Sequence, residues 1–219
     1  MRILLCLLAL SLLTGCESKV ARARRDLASE DPDRLVPAVI VLGKAEDDNS
    51  VPRLVELLEH EDREVRRETA KALGLIGDHR ACEPLGVSFE EDESARVRDA
   101  ARKALEEIGP ASIPVLVRAL NSWDTDVRAG AARSLGRLRA HEAVDRLIRM
   151  VDDRDPTVRT AAIQALRRIG DQRGLDAVAR AIADPERAVQ EEAIRQLGGE
   201  GYQDQLDRAK RLIRGAAGR

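Results

Sequence analysis

Val65-Arg-Arg-Glu-Thr-Ala-Lys-Ala-Leu73-Gly-Leu-Ile76-Gly77-Asp78 is the stretch that decides the fold. Its apolar and small positions 65, 69, 72, 73 and 76 recur at three- and four-residue spacing, which places them on one face of an α-helix. Gly77 stands where a helix ends in left-handed backbone, a conformation open to glycine without steric cost. Asp62, three residues ahead of Val65, is placed to cap the helix by accepting from its first free N–H groups. A helix with a single apolar stripe must be covered by neighbours.

Those neighbours are copies of itself. The Leu of the phrase Ala-x-x-Leu-Gly falls at Leu42, Leu73, Leu105, Leu135, Leu166 and Leu197, in steps of 31, 32, 30, 31 and 31 residues. Eight positions earlier stand Val65, Val97, Val127, Val158 and Val189, followed in four cases by arginine: Arg66, Arg98, Arg128 and Arg159. Asp124 and Asp155 repeat the capping position of Asp62. Between these helices runs a second apolar phrase: Leu54-Val-x-Leu-Leu58, Leu116-Val-x-x-Leu120, Leu147-Ile-x-x-Val151 and Val178-x-x-x-Ile182. Pro52, Pro84 and Pro114 sit in or just before its first turn, where a missing N–H costs little. Each unit is therefore two helices, and the fold class is all-α: an α-solenoid of about six stacked units over residues 31–214.

The phrase Val-Arg-x-x-Ala-Ala-x-x-Leu-Gly-x-Ile-Gly-Asp with a following Pro-Leu resembles HEAT repeats, in particular the short kind first associated with phycobilisome lyases. The resemblance implies a curved stack whose second helices line the concave side. The end units are atypical, as caps are: Arg34 stands where Val is expected, and the sixth unit has Gln190 for Arg and Gly198-Gly199 at its helix end. Arg66, Arg98, Arg128 and Arg159 lie about 60° from the centre of the apolar face, the place for an Asp–Arg ladder between units.

Composition agrees. Charged residues make up 35% of the chain, and one Trp, one Tyr and one Phe exclude an aromatic-filled core. The start is different in kind. Arg2, an apolar run from Ile3 to Leu13 broken only by Ser11, and Leu13-Thr14-Gly15-Cys16 form a signal segment too short to span a bilayer. It resembles the lipobox of bacterial lipoproteins. That resemblance implies a signal peptide over residues 1–15, a lipid such as palmitate on Cys16, and membrane anchoring in the cell envelope. Glu17, in place of the Asp that retains such proteins at the inner membrane of enteric bacteria, points to the outer membrane, facing the periplasm. A plain cleaved signal with an incidental Cys16 is the other reading. Residues 16–30, with Arg22, Arg24 and Arg25, read as a basic tether, either touching anionic headgroups or merely soluble. Residues 215–219 form a short tail. Cys82, a lone thiol in an exported chain, reads as a small buried residue.

Little in the sequence suggests chemistry. His79 and His141 hold equivalent places two units apart, too far to share a metal ion, and His60 lies in another loop. No nucleophile has a recognisable base beside it. Gly198-Gly-Glu-Gly201 lacks the strand and the Lys-Ser/Thr of a phosphate loop, and Glu90-Glu-Asp-Glu93 reads as a solvated loop rather than a calcium site. No catalytic residue, metal or cofactor is expected beyond the lipid on Cys16.

Two features suggest binding. Arg118, Arg149, Arg180 and Arg211 recur every 31 residues in the second helix, about 150° from its apolar centre, and so form a row on the concave side. Asp145, Asp176 and Asp207, four residues before three of them, offer the competing role of pairing within one helix. Trp123, in an inter-unit loop, is either an exposed interface anchor or packing over a helix end. Charge is also uneven: residues 30–93 carry 18 acids and 8 bases, and 94–185 carry 13 acids and 17 bases. The near-neutral total of −2, together with export, argues against nucleic acid. The expectation is a lipid-anchored, non-catalytic scaffold or assembly protein that binds a protein or peptide. The alternatives are a lyase-like protein handling a small molecule in the concave groove, which a pocket of Glu56, Glu83 and His79 would support, and a mechanical spacer.

Overall fold

The computed structural model describes residues 18–198 and residue 207. Cys16, Arg211, Gly199 to Gly201 and the segments 1–15 and 215–219 lie outside the described residues. Among the described residues the chain is helical throughout, with no strand. First and second helices alternate: α2 (Pro32–Lys44) and α3 (Val51–Glu56), α4 (Arg63–Ile76) and α5 (Cys82–Glu91), α6 (Ala95–Ile108) and α7 (Ile113–Ala119). Then come α8 (Thr125–Arg137) and α9 (Val144–Met150), α10 (Pro156–Ile169) and α11 (Gln172–Arg180), and the first helix of the sixth unit, α12 (Arg187–Leu197). This is the α-solenoid that the 31-residue spacing implies.

Local chemistry fixes the helix limits. Asp62 and Asp124 each accept from two backbone N–H groups at the start of α4 and α8, and Asp155 accepts from Thr157 at the start of α10. Those N–H groups are the largest influence holding the Asp62 and Asp155 carboxyls below the usual range. Four positions after each of the first five marker leucines the backbone turns to positive φ: +50° at Glu46, +76° at Gly77, +84° at Gly109, +51° at Arg139 and +78° at Gly170. Two of the five places are held without glycine.

The core is a column of marker leucines, Leu42, Leu73, Leu105, Leu135, Leu166 and Leu197, all fully buried, with alanines filling the gaps. How closely successive first helices pack depends on the residue after each marker. Gly43, Gly74 and Gly136 lie so near Ala72, Ala104 and Ala165 that an added Cβ would come within 2.7, 2.7 and 2.6 Å of the facing Cα. The absence of a side chain lets these helices pack closely. Units 3 and 5 depart from the phrase, with Glu106 and Arg167 in place of Gly. Glu106 accepts from Ser134 Oγ at 2.6 Å and from Arg137 at 2.6 Å, and also pairs with Arg102. Arg167 Nε donates to the Gln196 carbonyl at 2.9 Å. A long side chain at the contact holds the helices apart, so α6 touches α8 far less than α4 touches α6 or α8 touches α10.

Two expectations need correction. Of the segment read as a basic tether, residues 18–30 are not free: Lys19–Asp26 is a helix, α1, lying on α2. Val20, Ala23 and Leu27, spaced for one helical face, pack on the core, and Arg24 pairs with the buried Asp47. The solenoid therefore begins by Lys19 rather than at residue 31, with α1 covering the open face of the first unit. The run Glu90-Glu-Asp-Glu93 is not simply a solvated loop. Glu90 and Glu91 belong to α5, and the side chain of Asp92 is 6% exposed because Arg66 grips it.

Candidate functional site

Three of the four ladder arginines are structural, as their position implies; the fourth, Arg98, meets no aspartate of the next unit among the described residues. Arg66 meets Asp92 of the next unit through Nε at 2.7 Å and Nη2 at 3.2 Å. Arg128 meets Asp153 at 3.0 and 3.0 Å, and Arg159 meets Asp184 at 2.8 and 2.8 Å. Each bidentate rung binds a first helix to the loop that starts the next one.

The second-helix row is arranged differently from local pairing. Asp145 pairs with Arg173 of the following unit at 2.9 Å, not with Arg149, and Asp176 accepts from Gln172 rather than from Arg180. Arg149 and Arg180 are exposed and make no hydrogen bond or ion pair among the described residues. Arg118, 52% exposed, reaches back to Glu83 of the preceding unit through two contacts, at 3.2 and 2.6 Å. That guanidinium holds the Glu83 carboxyl below its ordinary value. For Asp145 and Arg118 the nearest partner is therefore the start of a neighbouring second helix, whereas Asp176 is met within its own helix.

Beside the Arg118–Glu83 pair an open groove of about 770 Å³ runs between α3 and α5. Val55, Leu58, Pro84 and Val87 give it an apolar floor, and Glu59, Glu61, Glu91 and Glu93 an acidic rim. Val87 is 53% exposed there, which is unusual for a valine in so well-packed a stack. Nearby burial raises the Glu90 carboxyl, with Arg118 opposing the effect. Nothing in the sequence phrase marked this groove, since Val87 occupies the column that holds Arg118, Arg149 and Arg180 in later units. Glu56, Glu83 and His79 do not form a pocket: Glu56 pairs with Arg53, Glu83 with Arg118, and the His79 side chain is 80% exposed.

Trp123 is 83% exposed, its carbonyl accepting from Arg128 at 3.0 Å. Of its two readings, packing over a helix end is excluded. Cys82 is buried, and burial is the main cause that raises its thiol above the ordinary value. Among the described residues no three His, Cys, Asp or Glu side chains stand together in a way that could hold a metal ion. No described helix is long and apolar enough to cross a membrane.

The chain matches the family model for HEAT repeats over residues 21–106, 113–198 and 149–217, and that for the PBS lyase HEAT-like repeat over residues 97–122. No curated protein matches it. Solved structures do. The complex of CpcE and CpcF of phycocyanin lyase from Nostoc sp. PCC7120 aligns at 22% identity and a TM-score of 0.54, over 86% of this chain and 79% of that one. An engineered protein aligns at 23% identity and a TM-score of 0.52, over 88% and 98%. A designed armadillo repeat protein in complex with the peptide (KR)4 aligns at 18% identity and a TM-score of 0.50, over 83% and 99%. At these identities what is shared is the fold.

Proposed function

Because the chain belongs to the HEAT-repeat family, we propose that it is a non-catalytic scaffold, lipid-anchored through Cys16 in a bacterial envelope, that holds a protein or peptide partner along its second-helix face. The observation that carries this is the groove between α3 and α5, where an apolar floor lies open beneath a rim of carboxylates. Solenoids stabilise little surface per unit but present long grooves, and an extended polypeptide can lie along one with its side chains in successive units. Arg118, Arg149 and Arg180 continue the face into the basic half, so a partner with the opposite charge order is steered into a single orientation. The same fold carries the (KR)4 peptide in the designed armadillo protein and occurs in the CpcE–CpcF complex. Lipid attachment at Cys16 rests on the Leu13-Thr14-Gly15-Cys16 motif, and the outer membrane facing the periplasm on Glu17.

Two measurements test this. Affinity capture from native envelopes should return a stoichiometric protein that is lost from the Arg118→Glu/Arg149→Glu/Arg180→Glu variant while circular dichroism stays helical. Capture of no partner by the wild type would overturn the scaffold reading. Cys16→Ala should move the protein from the membrane fraction to the soluble one, and unchanged membrane association would overturn the anchor.

A further inference from the structure

The residue two before each first-helix N-cap folds back to accept that cap's backbone N–H: Ser29 at 3.1 Å, His60 at 3.0, Asp92 at 2.8, Ser122 at 3.3, Asp153 at 2.9 and Asp184 at 2.8. Where this residue is aspartate it does a second job, taking the Nε/Nη2 edge of the preceding unit's arginine. Arg66, Arg128 and Arg159 are oriented for that by their Nη1 groups, which donate to loop carbonyls five and six residues upstream. Arg98 is oriented in the same way, its Nη1 donating to the Asp92 carbonyl at 2.8 Å and the Glu93 carbonyl at 3.5 Å. The loop ahead of it, however, offers Ser122 and Trp123, and no carboxylate meets its outer edge among the described residues. One rung of the ladder is built and left open.

The same junction departs from the repeat in two further ways. With Glu106 in place of glycine, a cleft of about 180 Å³ lies between α6 and α8, room for about six waters or one side chain. Phe89 lies buried at this cleft, and Arg98 and Arg133 line it. Arg133 is half-buried and has no hydrogen bond or ion pair among the described residues, and burial is the main cause lowering its pKa. Two acids also line the cleft: Asp99 is held by Arg102 and Lys103, and Asp126 forms no ion pair with either arginine. In the loop itself stands Trp123, the most exposed large apolar side chain described.

We propose that the junction of units 3 and 4 is a receptor for one carboxylate of a partner polypeptide, whose Asp or Glu side chain lies against the Nε/Nη2 edge of Arg98 as the missing rung, with Trp123 covering its flank. This deepens the scaffold reading and rests on it. A carboxylate is favoured because three sister rungs hold one in this geometry.

Trp123 is the chain's one tryptophan, so its fluorescence reports the site directly. The probes are the peptide acetyl-Ala-Leu-Asp-Ala-Leu-amide, its Asn counterpart and sodium acetate. The Asp peptide should shift Trp123 emission saturably. The Asn peptide and acetate should bind about tenfold or more weaker, the ratio expected for losing a charge-assisted pair or its flanking contacts. Ser122→Asp supplies the carboxylate from within, so it should raise the melting temperature and abolish the response to the Asp peptide. Arg98→Gln should abolish it as well. An Asp peptide bound equally by wild type and Ser122→Asp, or an absent response in wild type, overturns the proposal. So does acetate binding as well as the peptide, or emission that changes with protein concentration alone, which would assign the site to a second copy of the chain. Capture of a partner by wild type and Ser122→Asp alike would defeat this site while leaving the scaffold standing.

Discussion

Arg139 turns to positive φ at +51°, in a column where Gly77 and Gly170 hold left-handed backbone. A residue with a Cβ loses about 1–2 kcal/mol there, part of which glycine gives back through its freer unfolded chain. Arg139→Gly should therefore stabilise the protein by about 0.5–1 kcal/mol. Gly77→Ala should destabilise it by about 1 kcal/mol, purely through the backbone, because a Cβ there meets nothing within 4 Å. Thermal unfolding followed by circular dichroism checks both, and unchanged melting would show that the turn relaxes at no cost. At this scale the sequence was legible where the interaction is local. Asp62 as a cap and Gly77 as a stop follow from spacing alone. The partners of Asp145 and Arg118 do not, because they lie in neighbouring units and are chosen by how the helices stack. The acid completing each rung was hidden for the same reason: Asp92 looks like one of a solvated run until Arg66 is placed beside it.

Between elements, two columns set the contact: the residue after each marker Leu and the residue before the next one. They pair as Gly43 with Ala72, Gly74 with Ala104, Glu106 with Ser134, Gly136 with Ala165 and Arg167 with Gln196. Gly136→Ala should cost about 1–3 kcal/mol, because its Cβ would sit 2.6 Å from the Ala165 Cα and one helix must shift. A loss no larger than that of Gly77→Ala would show that the interface slides freely. Caps add a pH dependence. The Asp62 and Asp155 carboxyls titrate below their ordinary value because the folded helix ends donate N–H groups to the charged form. Their contribution is present above the unfolded value near pH 3.9 and is lost as pH falls through the depressed folded value. Urea midpoints should thus fall in acid below about pH 4, and Asp62→Asn/Asp155→Asn should flatten the decline while keeping most of the cap. The helix phrase was readable, but α1 was not, since its three apolar residues are outnumbered by the charges around them.

For the whole molecule, stability is a sum of units and their interfaces, and the interface between units 3 and 4 is the thinnest among the described residues. Hydrogen exchange with rising urea should therefore resolve two cooperative blocks, residues up to about Ile108 and those from about Thr125, opening separately. A single block spanning both would show that the Glu106 network couples them as firmly as glycine contacts do. The solenoid could be read from spacing, whereas the groove between α3 and α5 could not, because it arises where Val87 takes the place that an arginine holds in later units. The paired columns have one more consequence. Tandem copies invite loss of a unit during replication, and the outcome depends on which unit goes: without residues 44–74, Gly43 would meet Ala104, another glycine–alanine pair. Removing the thirty residues from Glu107 to Gly136 would set Glu106 against Ala165, a methyl group in place of the hydroxyl that had donated to it. Glycine–alanine junctions are thus interchangeable, whereas the unit that ends in Glu106 has a fixed neighbour.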